Sequence, residues 1–502
     1  MSKRIDHFLA RAIWVIAVVC AGLVLVLNII FHAEVRYHYL ENVTISTHLF
    51  QSLGMLLLLL AVVFLFSRSR PCLEKINLGM VFCTLSFIYI LIAAYMIANN
   101  NHVLRGDAGF VYDAALAASQ GVYTAFDQGG YMYTYPHQLG LMLYDRLLMC
   151  IGKTPVVNFS VNLAMILGIN FVCWQISRIL YHEHVIELLT LLLCFAFIPQ
   201  LFFVLFAYGQ VPGLFFLMIA FYNVLRFCEK HSWKNGVAML VCTSLSVIIR
   251  SNNMIGAIAI SIYLVLRLIR EKGWQKLLAA CLVLVCMVVP GRMMSAAFEA
   301  HTGAELDSGC PTVLWLAMGT DIDNRSSGPG WFDMSSYNIY MDTGAQPEAA
   351  AAIGMEKLKN NAEKIRNDPS RALAFFTDKV ISVWCEPLYQ SLWSGPMELF
   401  GQATHTPLML SLYGGGKAED LAEGFSKMLS LLVWAGVCLS LFGSARKTRG
   451  WELMVLYFIG GFLFHLIWEA KSQYVYPYVF CLLPFAARGL WQIIDRKQEA
   501  AE

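Results

Sequence analysis

Charge is what this sequence has least of. Asp, Glu, Lys and Arg make up 14% of its 502 residues, where soluble domains carry roughly 25%. A net charge of +2, with no block of like charges, gives no footing for nucleic acid or for a charged interaction tail. Paired cysteines are missing too. The 14 cysteines fall singly, mostly inside apolar segments (Cys83, Cys194, Cys242), without the spacing of a zinc site or redox motif, and read as small core residues. Only Cys310 and Cys385 lie in a long polar segment, where a disulfide between them is open. No GxxxxGKS/T, HExxH or GxSxG occurs, so nucleotide hydrolysis, zinc proteolysis and a hydrolase nucleophile elbow lack support. Internal repeats and low-complexity stretches are also lacking.

What is present is apolar length. Hydrophobic residues make up 58% of the chain, and the mean hydropathy is +0.59. A helix needs about 20 apolar residues to cross the hydrocarbon core, and only helices or closed barrels satisfy their backbone groups there. Runs of that length predict an all-α polytopic membrane protein with about twelve spans, near residues 12–32, 48–66, 76–98, 155–181, 185–206, 209–227, 235–250, 253–270, 275–295, 426–443, 451–469 and 475–494. The N-terminal run is too long for the apolar region of a signal peptide and has no small-residue cleavage site, so it reads as a first helix that stays attached.

Lys and Arg concentrate in short cytoplasmic loops. With the N-terminus inside, four of the five interior connections are basic, carrying Arg68, Arg70 and Lys75; Arg226, Lys230 and Lys234; Arg267, Arg270, Lys272 and Lys276; and Arg446, Lys447 and Arg449. The C-terminal Arg496 and Lys497 also fall inside. Two long polar stretches, 99–154 and 296–425, then lie outside. Loops beyond about 15 residues are uncommon unless functional or disordered, and these are too aromatic to be disordered. Four regions follow: two helices in 1–75, a core of 76–295 that includes the outer loop 99–154, an outer segment 296–425, and three C-terminal helices with a cytoplasmic tail in 426–502. Within the outer segments, apolar recurrence predicts a helix over 106–120 ended by Gly121, an amphipathic helix before Pro369, and a more apolar one after it suited to lying along the membrane surface.

Candidate chemistry gathers at the outer side. Asp107, in R-G-D-A-G, has little bulk around it and could serve as a general base or as a helix cap. Asp113, six residues on, lies about 240° round a helix and shares no face with it. Tyr131, Tyr133 and Tyr135 could stack on a sugar or anchor at the headgroups, and His137 and Gln138 follow at a helix start near Pro136. Arg250, in a short outward turn, should face a phosphate, a cavity or the headgroups. Lys471, beside Glu469, sits in an equivalent place before the last span, and Arg292 is a third cation. Asp321 and Asp323 form a D-x-D spacing that can hold a divalent ion and also arises by chance.

The ordered set of Gly106-Asp107, YPHQLG (135–140), the Arg-Ser-Asn turn (250–252), WLAMG (315–319), GPGWF (328–332), WCEP (384–387) and EAKSQYVYPYVFCLLP (469–484) resembles the GT-C superfamily of integral membrane glycosyltransferases. The likeness is to the bacterial branch related to protein mannosyltransferases and lipopolysaccharide-core transferases, and runs from about residue 76 onward. It implies a bacterial plasma-membrane enzyme that moves a sugar from a polyprenyl-phosphate donor to a hydroxyl on an extracytoplasmic glycan, lipid or protein. It also implies that Asp107 is the base and, less closely, that Arg250 and Lys471 meet the donor phosphate; Arg292 is a weaker third candidate for that phosphate, and Tyr133, Tyr135, His137 and Gln138 are candidates to meet the substrate. The chain departs from the family in having two extra spans before the catalytic loop and a single Asp where many members have an acidic pair, which tilts the expectation towards no metal or other cofactor. A transporter or flippase of lipid-linked sugars, or a non-catalytic subunit of a polymer-export machine, would also use many spans and outward cations.

Overall fold

The computed structural model describes residues 2–36, 41–68, 70–230, 232–306, 309–396, 404–443, 448 and 450–499. The basic residues Arg446, Lys447 and Arg449 lie outside them. The bundle is built from α1 (Ser2–Ile30), α2 (Leu49–Arg68), α3 (Leu78–Ala98), α4 (Asp107–Ala118), α5 (Leu139–Leu148), α6 (Pro155–Tyr181), α7 (His184–Ala196), α8 (Gln210–Lys230), α9 (Trp233–Ile249), α10 (Met254–Glu271), α11 (Trp274–Thr302), α12 (Val313–Thr320), α13 (Pro347–Asn367), α14 (Pro369–Trp384), α15 (Lys417–Phe442), α16 (Trp451–Ile467) and α17 (Leu483–Glu499), joined by shorter helical turns.

Among the described residues, seven helices are long and apolar enough to cross a bilayer, and an eighth span is possible if α7 and the turn after it, bent by 48°, count as one. This is a multi-pass membrane protein. All twelve apolar runs fall on helix, but the expected count of twelve spans is not reached. The α9 and α16 helices have 17 residues each, about 25 Å at 1.5 Å per residue, short of a hydrocarbon core of about 30 Å. The last run is broken between Tyr476–Cys481 and α17.

One feature departs from an all-α chain. Between α1 and α2, Phe31–Arg36 (β1) and Asn42–Thr47 (β2) form an antiparallel hairpin with Phe31 opposite Thr47 and Arg36 opposite Asn42. Val, Ile and Thr suit its pleat. The hairpin is held to the outer segment by Ala33 N–H to Cys385 O (3.3 Å) and Val43 N–H to Ser327 O (2.9 Å).

The two ends of the bundle differ. At one, Arg270 meets both Asp6 and Glu452 at 2.5 Å, while Arg267 and Lys276 share Glu271. This joins the first turn of α1 to the end of α10 and the start of α16. At the other end, the two long polar segments fold over the bundle. The amphipathic helix expected before Pro369 is α13, and α14 follows it. The second half of α14 is not laid on a membrane surface. Lys379 to Trp384 are buried, and the helix packs on α1, the hairpin and α16. Its Lys379 ammonium donates to Gly319 O (2.5 Å) and Trp468 O (2.6 Å), pinning α12 to the end of α16. Cys310 and Cys385 are both free and buried, so the disulfide left open by the sequence is not made.

Candidate functional site

A cavity of about 880 Å³ opens at the end of the bundle covered by the polar segments. Asp107, Tyr135, His137, Gln138, Arg250 and Lys471, far apart in sequence, all line it.

The backbone explains how Asp107 gets there. Gly106 precedes α4 at φ +55°, a left-handed conformation that favours glycine, and Asp107 is the first residue of the helix. The cap position thus belongs to Gly106, and the Asp107 side chain stays exposed to the cavity. A carboxylate in the first turn is also favoured by the helix dipole. The Tyr208 hydroxyl donates to Asp107 Oδ2 (3.1 Å) and accepts from Gln138 Nε2 (2.7 Å). Gln138 is placed by the crossing of α5 over α9. A side chain on Gly140 would put its Cβ 2.0 Å from Ile248 O, so only glycine lets the two backbones approach this closely. That contact joins YPHQLG to the turn that carries Arg250.

Arg250 ends α9 and lies over the Tyr208 ring (4.7 Å to the centroid) and near the Tyr474 ring (5.5 Å). Stacking on aromatic faces orients a guanidinium while leaving its edge for hydrogen bonds. Lys471 pairs with Glu41 at 3.0 Å and with Glu469 at 3.9 Å. Burial opposes its charge, but Glu41, then Tyr474 and Glu469, outweigh it and hold the ammonium well above its ordinary range. Burial lifts Glu469 to about 7 against the pull of Lys471. His137 is open to the cavity, yet the surrounding protein, and then Arg250, hold its imidazole below the ordinary value, so it is neutral at pH 7.

The segment bearing Lys471 is braced from the outer side. Glu386, of the WCEP motif, accepts from Leu388 N–H (2.9 Å), Gln390 N–H (2.7 Å) and the Ser472 hydroxyl (2.7 Å). Gln390 Oε1 in turn accepts Gln473 N–H at 3.3 Å. Trp331, of GPGWF, pairs with Ala470 in a short parallel bridge, and its indole N–H donates to Ser382.

Three candidates named from the sequence lie outside the cavity lining. Arg292 is exposed on α11 and does not line the cavity. Tyr133 packs beside Cys310, Leu314 and Tyr340 in a small outer core and does not itself line the cavity. Asp321 and Asp323 are held by cations: Lys364 lies 3.1 and 2.8 Å from them, and Arg371 bonds Asp323. Among the described residues no three His, Cys, Asp or Glu side chains converge as a metal cluster.

Sequence reasoning missed Glu41, Arg105 and Tyr208. Arg105 lies 3.7 Å from the centroid of Trp393 and donates to its carbonyl at 2.6 Å. Only its place two residues before Asp107 could have marked it. Together the fold and the cavity define a multi-pass membrane protein with an ionised, aromatic site at one end of its bundle. No family model and no curated protein matches the chain.

Proposed function

We propose that this chain is an integral membrane glycosyltransferase of the GT-C type, which moves a sugar from a polyprenyl-phosphate donor to an acceptor hydroxyl on the outer face of a bacterial plasma membrane. The observation that carries the reading is one cavity holding an accessible carboxylate, Asp107, together with two aromatic-braced cations, Arg250 and Lys471. The basic end of the bundle is then cytoplasmic, and the termini lie there. Met254 and Ile255 line the cavity at the start of α10, and exposed apolar residues further along that helix (Ile258, Ile262, Val265) offer a lipid-facing path for an isoprenoid tail.

Asp107 takes the acceptor's hydroxyl proton as that oxygen attacks the anomeric carbon. The carbon–oxygen bond to phosphate breaks, and the lipid phosphate leaves with the electron pair. Arg250 and Lys471 stabilise its charge in a site set before reaction begins. The donor brings its own leaving group, so no protein nucleophile is required, and attack opposite the phosphate inverts the anomeric centre. A transporter would place its polar groups near the middle of the membrane on broken helices. Here they sit on helix ends and the segments between them.

The test uses purified full-length protein and a panel of polyprenyl-phosphate sugars. Asp107→Asn is expected to lose about 100-fold or more in kcat while still binding donor. Transfer at the wild-type rate by this variant would falsify the assignment.

A further inference from the structure

An unbroken row of aromatic rings runs along the cavity. Phe110 stacks on Tyr131 (5.2 Å between centroids), Tyr131 meets Tyr135 (5.0 Å), Tyr135 meets Trp315 (6.1 Å), Trp315 lies nearly parallel to Trp468 (6.4 Å) and Trp468 stacks on Phe464 (5.0 Å). Four separate parts of the chain supply these rings: α4, the turn before Pro136, α12 and the end of α16. All but Phe110 line the cavity, and Phe110, 56% exposed, continues the row to the surface.

Headgroup anchors stand singly at the bilayer surface, with their rings towards lipid. These rings instead face an interior space. At about 880 Å³ that space is near the top of the roughly 300–1,000 Å³ range of drug-sized sites, more than one sugar and its phosphate need. Ring faces carry negative potential, and the C–H faces of a pyranose are apolar and slightly positive, so sugars lie flat on such surfaces. The uncharged hydrogen-bonding groups of Asn42, Thr312, Ser326 and Ser327 line the same cavity. One recurring mode of peptide capture adds a strand to an open sheet edge. The nearest strand, β2, has already given Val43 N–H to Ser327 O, and Trp331 is paired with Ala470.

We infer that the acceptor is the end of a saccharide chain, laid with its sugar faces along this aromatic row so that its terminal hydroxyl reaches Asp107. The inference rests on the glycosyl-transfer reading and narrows the acceptor from a glycan, lipid or protein to a glycan.

The experiment has two arms, both on the full-length protein in detergent. In the first, tryptophan fluorescence is titrated, without donor, with neutral hexose and N-acetylhexosamine tetrasaccharides, a Ser/Thr-rich peptide and a short-chain phospholipid. Saturable quenching by a tetrasaccharide, and not by the other two probes, is expected. In the second, transfer kinetics are compared for wild type, Trp315→Ala and Trp315→Phe. Loss of the ring face should raise the acceptor KM about tenfold, more than the donor KM, and Phe should recover most of it.

A rise confined to the donor KM would show that the row holds the isoprenoid tail. Transfer to the peptide or lipid but not to a saccharide would show another acceptor. Either outcome overturns this inference and leaves glycosyl transfer standing. If no polyprenyl-phosphate sugar is consumed with any acceptor, the transferase reading itself fails, and quenching by a tetrasaccharide would then mark a sugar site without that role. Retained folding of the Phe variant guards against a collapsed Ala variant being read as lost binding.

Discussion

At the scale of single residues, Asp107 is oriented by a chain of two hydrogen bonds, from Gln138 to Tyr208 and from Tyr208 to the carboxylate. Tyr208→Phe removes the second bond but keeps the ring face under Arg250. Such a bond to a charged group is worth roughly 1.5–3 kcal/mol, so kcat should fall about tenfold or more while the donor KM stays near wild type, a split that steady-state kinetics reads directly. Asp107 was legible in the sequence because the small residues around it leave it unshielded. Tyr208 was not, because it lies about a hundred positions away and only the fold brings it to the carboxylate. Glu41 was hidden for the same reason, as its partner Lys471 comes from the far end of the chain. Tyr133 and Tyr135 read alike in sequence. Both pack against the small outer core at the short helical turn Tyr131–Thr134, and only Tyr135 also lines the cavity.

At the scale of elements, the WCEP loop holds the Lys471 segment in place through Glu386. Burial lifts this carboxyl to about 7 from 4.5, against the bonds from Ser472, Gln390 and Leu388 that favour its charge. The folded chain therefore binds a proton here that the unfolded chain has released. Its contribution to stability is complete below about 4.5 and is lost as pH rises through about 7. Glu386→Gln imitates the protonated form, so the fall in melting temperature across that window should become shallower in a thermal-shift series. Glu469, lifted likewise by burial, contributes to the slope that remains. Lys379 acts in the opposite sense. Burial lowers it from 10.5 to about 7, and its contribution is lost as pH falls through that value. Motif order in the sequence pointed to WCEP and WLAMG but gave no reason for them. Their reasons are contacts across the fold, to Ser472 for one and to the end of α16 for the other.

At the scale of the whole molecule, hydropathy found the apolar helical runs, but the count of twelve spans is not confirmed among the described residues, because apolar length does not report whether a helix breaks or stops short. The hairpin was invisible to it, since two six-residue strands between long apolar runs read as a connection. Orientation is open to a direct check. Cys150, between α5 and α6, and Cys72, between α2 and α3, are both exposed and belong to opposite ends of the bundle. In variants keeping only one of the exposed cysteines, a membrane-impermeant maleimide added to intact cells should label Cys150 and spare Cys72 until the cells are broken. The reverse pattern would turn the cavity towards the cytoplasm and remove the outer-leaflet donor.

On the glycosyl-transfer reading, the hairpin has a further effect on turnover. It delivers Glu41 to within 3.0 Å of Lys471, so that with Glu469 the cavity carries its own counterions for an ammonium whose isolation in a desolvated site would be strongly destabilising. An arriving lipid phosphate then trades places with a carboxylate, which keeps the local charge almost constant and tempers the grip on the substrate. After transfer, the same carboxylate competes for the ammonium with a departing phosphate that has gained charge. On that reading Glu41 works as a displacer that helps clear the spent carrier lipid.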